Sequence, residues 1–111
     1  PPMDTGIIKA HIEFSSTLNA DESVKRIKPF LQWLNNRPWL KQSSIAIGTE
    51  KGVLSLGGGG SGNSINLTII AVDRFHRKKT IWQLEDEIRK KIAALDGVKK
   101  LAVFDFGATA L

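Results

Sequence analysis

Apolar and polar residues alternate from Thr5 to Phe14, with Ile8, Ala10, Ile12 and Phe14 on one face and Lys9, His11 and Glu13 on the other. That period of two predicts a strand covered on one side. Ser15 to Asn19 interrupts the alternation and supplies N-cap candidates, and Asp21 and Glu22 suit the positive end of a helix. Val24, Ile27, Leu31 and Leu34 then recur at helical spacing. Pro29 lies inside this stripe, where its missing N–H predicts a kink or a split helix. Asn35-Asn36-Arg37-Pro38 ends the element. A short strand is expected near Ser44 to Ile47, with Ile45 and Ile47 on one face.

The second half repeats the order. Ile65 to Val72 is nearly all apolar and rich in β-branched residues, the pattern of a central strand covered on one face. Asp73 to Lys79 (DRFHRKK) reads as a basic turn. Thr80-x-x-Gln83 fits a capping box, and Ile81, Leu84, Ile88, Ile92 and Leu95 form the stripe of a second helix. Glu85–Arg89, Asp86–Lys90 and Glu87–Lys91 are expected as exposed i,i+4 ion pairs. Gly97 is the expected C′ residue, and Val98 to Phe106 the last strand.

Elements of the second half follow their counterparts by about 56 to 60 residues, the mark of an internal duplication. The order predicts an α+β, ferredoxin-like split βαβ fold (βαββαβ), a four-stranded antiparallel sheet with two helices on one face. Right-handed crossovers give the strand order 4-1-3-2. Residues 1–111 are expected to be one domain, with halves at about 5–48 and 65–107 joined by a Gly-rich loop at about 49–64. This topology puts the loop at one end of the sheet, and the termini and the basic turn at the other.

Composition narrows the function classes. Sixteen Lys and Arg against eleven acidic residues give a net charge of +5, which permits an anionic partner without requiring one. There is no cysteine, so disulfides and thiolate metal sites are excluded. No apolar run approaches the roughly 18 residues of a membrane span. The chain opens at Pro1-Pro2 and stops at Leu111, and is expected to be a piece of a longer protein.

Candidate chemistry is sparse. Gly57-Gly58-Gly59-Gly60-Ser61-Gly62-Asn63 lacks the lysine and the following helix that a phosphate loop needs. A flexible connector or a mobile loop beside a ligand path fits it better. His11 and His76 sit on different elements without partners at ligand spacing, so neither a metal site nor a catalytic arrangement is expected. Arg74, Arg77, Lys78, Lys79, Lys99 and Lys100 form a candidate nucleic-acid patch. The aromatic platform of a sheet-face RNA binder is carried only by Phe104 and Phe106, so a solvated turn is the better account. Trp33, Trp39 and Trp82 either flank the core or meet a neighbouring domain.

The run Pro1-Pro2-Met3-Asp4-Thr5-Gly6, an Asp/Glu-opened helix, Ile47-Gly48, the glycine-rich loop, Asn66 opening a strand, and Arg77 before the next helix resembles a porter subdomain of resistance-nodulation-cell division (RND) multidrug efflux transporters. The segment it resembles follows the seventh transmembrane helix. The resemblance implies a periplasmic segment of a proton-driven, homotrimeric inner-membrane pump of Gram-negative bacteria, without enzymatic activity or cofactor. Its partners would be other porter subdomains, neighbouring protomers and amphiphilic small-molecule substrates, with no nucleic acid. Membrane contact would come only through transmembrane helices outside this chain. The resemblance also places Leu54, Leu56, Gly57, Gly58, Gly59, Gly60, Ser61, Gly62 and Asn63 on the substrate path as a mobile gate. Family members commonly carry phenylalanines in this loop, where this chain has leucines and glycines. The single methionine argues against the heavy-metal branch. From a different class, a stand-alone ferredoxin-like module binding RNA or a small effector is the alternative.

Overall fold

The computed structural model describes residues 5–47 and 62–105. They form β1 (Ile7–Phe14), α1 (Ala20–Asn35), β2 (Leu40–Ile47), β3 (Ser64–Ala71), a 3₁₀ turn (Arg74–His76), α2 (Ile81–Ala93) and β4 (Val98–Asp105). The strands make one antiparallel sheet in the order β2-β3-β1-β4, which is the expected order read from the other edge. The fold is α+β and ferredoxin-like.

β1 and β3 lie at the centre because each carries an unbroken period-2 pattern. Ile8, Ala10, Ile12 and Phe14 are buried, as are Ile65, Leu67, Ile69 and Ala71. The register pairs Ile8 with Ile69, Ala10 with Leu67 and Ile12 with Ile65, so the apolar sets share one face. Slipping by one residue would turn either set to solvent. Each fully buried isoleucine stabilises by about 1.5–3 kcal/mol relative to exposure, against about 1 kcal/mol for a helix cap. Burial of this face therefore dominates.

Both helices close on that face through a common core. Asn19 caps α1: its side chain accepts from the Glu22 amide at 2.9 Å, and the Glu22 carboxylate accepts from the Asn19 amide at 2.9 Å. The buried stripe is Ser23, Ile27, Phe30 and Leu34, rotated from the expected one. Val24 is 38% exposed and Leu31 only partly buried, because the large ring of Phe30 takes the core position. Pro29 does not split the helix, which runs unbroken from Ala20 to Asn35 with Pro29 on its exposed side. Thr80 caps α2 with Gln83 as expected. Its C-cap is Ala94. Gly97, at φ +78°, serves the turn into β4 instead, where a side chain would run into the Arg26 guanidinium.

β2 is twice the expected length, eight residues, because its pairing with β3 is carried by backbone rather than by an apolar pattern. It is an edge strand. Ile45 and Ile47 sit opposite Leu67 and Ile65 on the core side, yet remain exposed because the helices leave this edge uncovered. At one end of the sheet lie Phe14, Ile47, Asn63 and the start of α1. At the other lie Gly6, Leu40, Ala71 and Asp105, held by the Ala71 amide donating to the Gly6 carbonyl (2.8 Å) and the Val72 amide to the Trp39 carbonyl (2.8 Å). The described flanks of the loop, Ile47 and Asn63, thus lie at the end opposite Thr5, Asp105 and the basic turn.

Candidate functional site

Of the residues expected on the substrate path, Leu54, Leu56, Gly57, Gly58, Gly59, Gly60 and Ser61 lie outside the described residues, while Gly62 and Asn63 lie within them. These two are anchored. The Asn63 carbonyl accepts from the Phe14 amide at 2.8 Å, and its side-chain amide donates to the Phe14 carbonyl at 3.0 Å. The buried Ser23 hydroxyl reaches both the Asn19 carbonyl (3.0 Å) and the Gly62 carbonyl. A Cβ on Gly62 would fall 2.8 Å from the Asn19 carbonyl carbon and against the Ala20 amide. Glycine is required there by the close approach of two backbones. The downstream root of the loop is thus fixed to the end of β1 and the first turn of α1.

The opposite end carries a basic groove of about 590 Å³, lined by Arg37, Trp39, Phe75 and the run His76 to Lys79. Asp73 shapes its rim, accepting from the Phe75 amide at 2.9 Å and from His76 Nδ1 at 2.7 Å; the His76 bond holds its carboxyl below the ordinary range. Arg77 is fixed by the Val72 and Lys79 carbonyls, both at 2.7 Å, and Arg37 by the Trp33 carbonyl at 3.0 Å. Lys79 pairs with Glu87, so the expected Glu87–Lys91 pair is replaced. Lys91 instead lies 5.6 Å from the Trp33 ring centroid. Trp33 and Trp39, in edge contact at 6.3 Å, flank the core, whereas Trp82 is half-exposed.

The open face of the sheet is polar around His11, with Ile7, Ile70 and Phe104 towards one end. His11 bridges β1 and β3, with Nδ1 2.7 Å from Asn66 Oδ1 and Nε2 2.9 Å from Glu13 Oε2, and this bond is the main cause of the lowered Glu13 pKa. Lys9 donates to Thr68 at 3.0 Å. Among the described residues, Phe104 alone brings an aromatic ring to this face. A stacking platform for bases uses two or three rings.

Sequence reasoning missed Glu85. It was expected in an exposed pair with Arg89, but it is 7% exposed, in the core stripe between Leu84 and Ile88, with Oε2 unpartnered. Burial, then the neighbouring Asp105 carboxylate, raises its pKa to about 7, with Arg89 opposing. Arg89 is turned to the Val103 carbonyl at 3.1 Å, and Asp86 pairs with Lys90 at 3.2 Å as expected. The missed signal was spacing, since position 85 completes the helical series 81, 84, 85, 88, 92.

No protein-family model matches the chain, and a search of curated proteins finds no match. Among solved structures, the chain is similar to a heavy metal efflux pump. The match has a TM-score of 0.76 at 12% identity and covers 95% of this chain. This chain spans only 11% of the length of that pump. It is also similar, at a TM-score of 0.52 and 12% identity, to the solution structure of a hypothetical protein from Arabidopsis thaliana, covering 100% of this chain and 95% of that one. At such identities the likeness shows the fold.

Two substitutions test this geometry. Gly62→Ala forces two backbones apart and is expected to lower stability by about 1–3 kcal/mol, read as a lower urea midpoint at unchanged slope. Glu85 holds its proton more tightly when folded, so its contribution to stability is greatest below the unfolded value near 4.5 and declines as pH rises to about 7. Glu85→Gln is expected to remove that decline and to leave the chain about 1–3 kcal/mol more stable than the parent above pH 7, measured by urea unfolding across the range.

Proposed function

We propose that the chain is a porter-type subdomain of a proton-driven RND efflux transporter, with residues 1–111 forming one unit on the periplasmic side of the inner membrane. The observation that carries this reading is the similarity to an efflux pump over 95% of this chain but 11% of that one, the proportion of a single part within a larger machine. The uncovered edge supports it. Ile45 and Ile47 on it are large apolar side chains left exposed, as is Val24 on α1, and a neighbouring subdomain or protomer of a homotrimer would cover them.

In this reading the loop acts as a gate on the path of amphiphilic small molecules, with Gly57 to Gly60 as the moving part and Leu54 and Leu56 as its apolar contacts. Gly62 and Asn63 serve as the fixed root against which it moves rather than as contacts themselves. The similar solved pump exports heavy metals by its description, but this chain has one methionine and no cysteine to offer a soft ion. The chain needs no cofactor in this role, and it moves substrate by loop movement and rigid-body shifts rather than by catalysis.

A second reading, a stand-alone module binding RNA or a small effector, draws on the Arabidopsis protein, in which this fold makes up nearly the whole chain. Salt-dependent retention of single-stranded RNA at micromolar protein would favour it, and the porter reading expects none.

Replacing Gly58 to Gly60 with alanine or proline in the full-length transporter is expected to reduce drug resistance severalfold while the domain stays folded. Resistance equal to that of the parent would contradict the gate.

A further inference from the structure

The basic groove has a feature that a solvated turn does not require. Phe75, at the middle of the 3₁₀ turn Arg74–His76, is 82% exposed. The Arg74 guanidinium lies 5.0 Å from its ring centroid, and Arg37, Arg77, Lys78 and Lys79 line the same groove or its rim. Asp73 is engaged by His76 and Glu87 by Lys79. Among the described residues the Lys78 ammonium has no partner. A large apolar ring at an apex, with the Arg74 guanidinium against it and the Lys78 ammonium nearby, is the composition of an interfacial membrane anchor.

We propose that this turn docks on an anionic membrane surface, with Phe75 entering the headgroup–acyl boundary while Lys78 and Arg74 meet lipid phosphates. Position favours this occupant over a nucleic acid. The described chain enters at Thr5 and leaves at Asp105 at the same end of the sheet as the turn, the end from which any membrane-embedded continuation would depart. Bases would need several stacking rings along the strands, and the turn offers one ring at a tip. That a membrane-embedded continuation departs from this end rests on the porter reading. The groove and the exposed ring do not.

The test is flotation of the 111-residue chain with vesicles of phosphatidylcholine, or of phosphatidylcholine mixed with phosphatidylglycerol, at low and physiological salt. Binding is expected to the mixed vesicles and to weaken with salt. Lys78→Glu should reduce it roughly tenfold, and Phe75→Ser roughly fivefold without any change of charge. Lys28→Glu, an equal charge change on the exposed side of α1, should reduce it far less. Equal loss with Lys28→Glu, no effect of Phe75→Ser, absence of binding, or displacement by single-stranded RNA would each overturn the proposal. Circular dichroism confirms that each variant is folded. Because no pump is involved, failure here leaves the porter reading standing, whereas a failed resistance assay leaves the membrane contact standing.

Discussion

The structure depends on covering one face of a four-stranded sheet with two helices while the other face stays wet. Ile8, Ile12, Ile65 and Ile69 have no exposure at all, and they meet Ile27, Leu34, Ile81, Leu84, Ile88 and Ile92 from above. One-sided burial fixes the register of β1 against β3, because only one register puts both apolar sets together. It also sends Lys9, His11 and Glu13 to the opposite face, where they hydrogen-bond among themselves and to β3. The cover is incomplete at β2, and that shortfall leaves an apolar edge for something else to cover.

A second constraint follows at the loop end. β1 must stop where the loop returns, and Asn63 joins them by accepting from and donating to the backbone of Phe14. Gly62 then passes so near the first turn of α1 that a side chain has no room. Each bond contributes only about 1 kcal/mol net, but leaving the buried Phe14 carbonyl unpaired would cost about 1–3 kcal/mol. The result is a rigid root on one side of a glycine-rich connection. The other end of the sheet differs in character, with cations and an exposed ring.

Much of the fold was legible in the sequence because its strongest signals are local. Alternation placed β1 and β3, the capping box at Thr80 and Gln83 placed the start of α2, and the repeated order gave the topology. What was missed depends on distant neighbours. Phe30 displaced Val24 from the core because the volume to be filled is set by the sheet, not by α1. β2 extends back to Leu40 through backbone pairing, which side-chain pattern does not record. Glu85 was assigned to a surface pair by its charge, although its position in the stripe pointed inward. The need for glycine at position 62 comes from the backbone of α1 about 40 residues away and has no local trace among its neighbouring glycines. The gate expected of the loop likewise came from resemblance and not from periodicity, and residues 48–61 lie outside the described residues.

The central claim is that this domain is one part of a membrane transporter. Sequencing the gene through the codon for Pro1 tests it most directly. The account predicts a stretch of about 20 predominantly apolar residues, long enough to cross a bilayer, immediately upstream in the same frame. A start codon directly before Pro1, or a polar segment with no span, would contradict it.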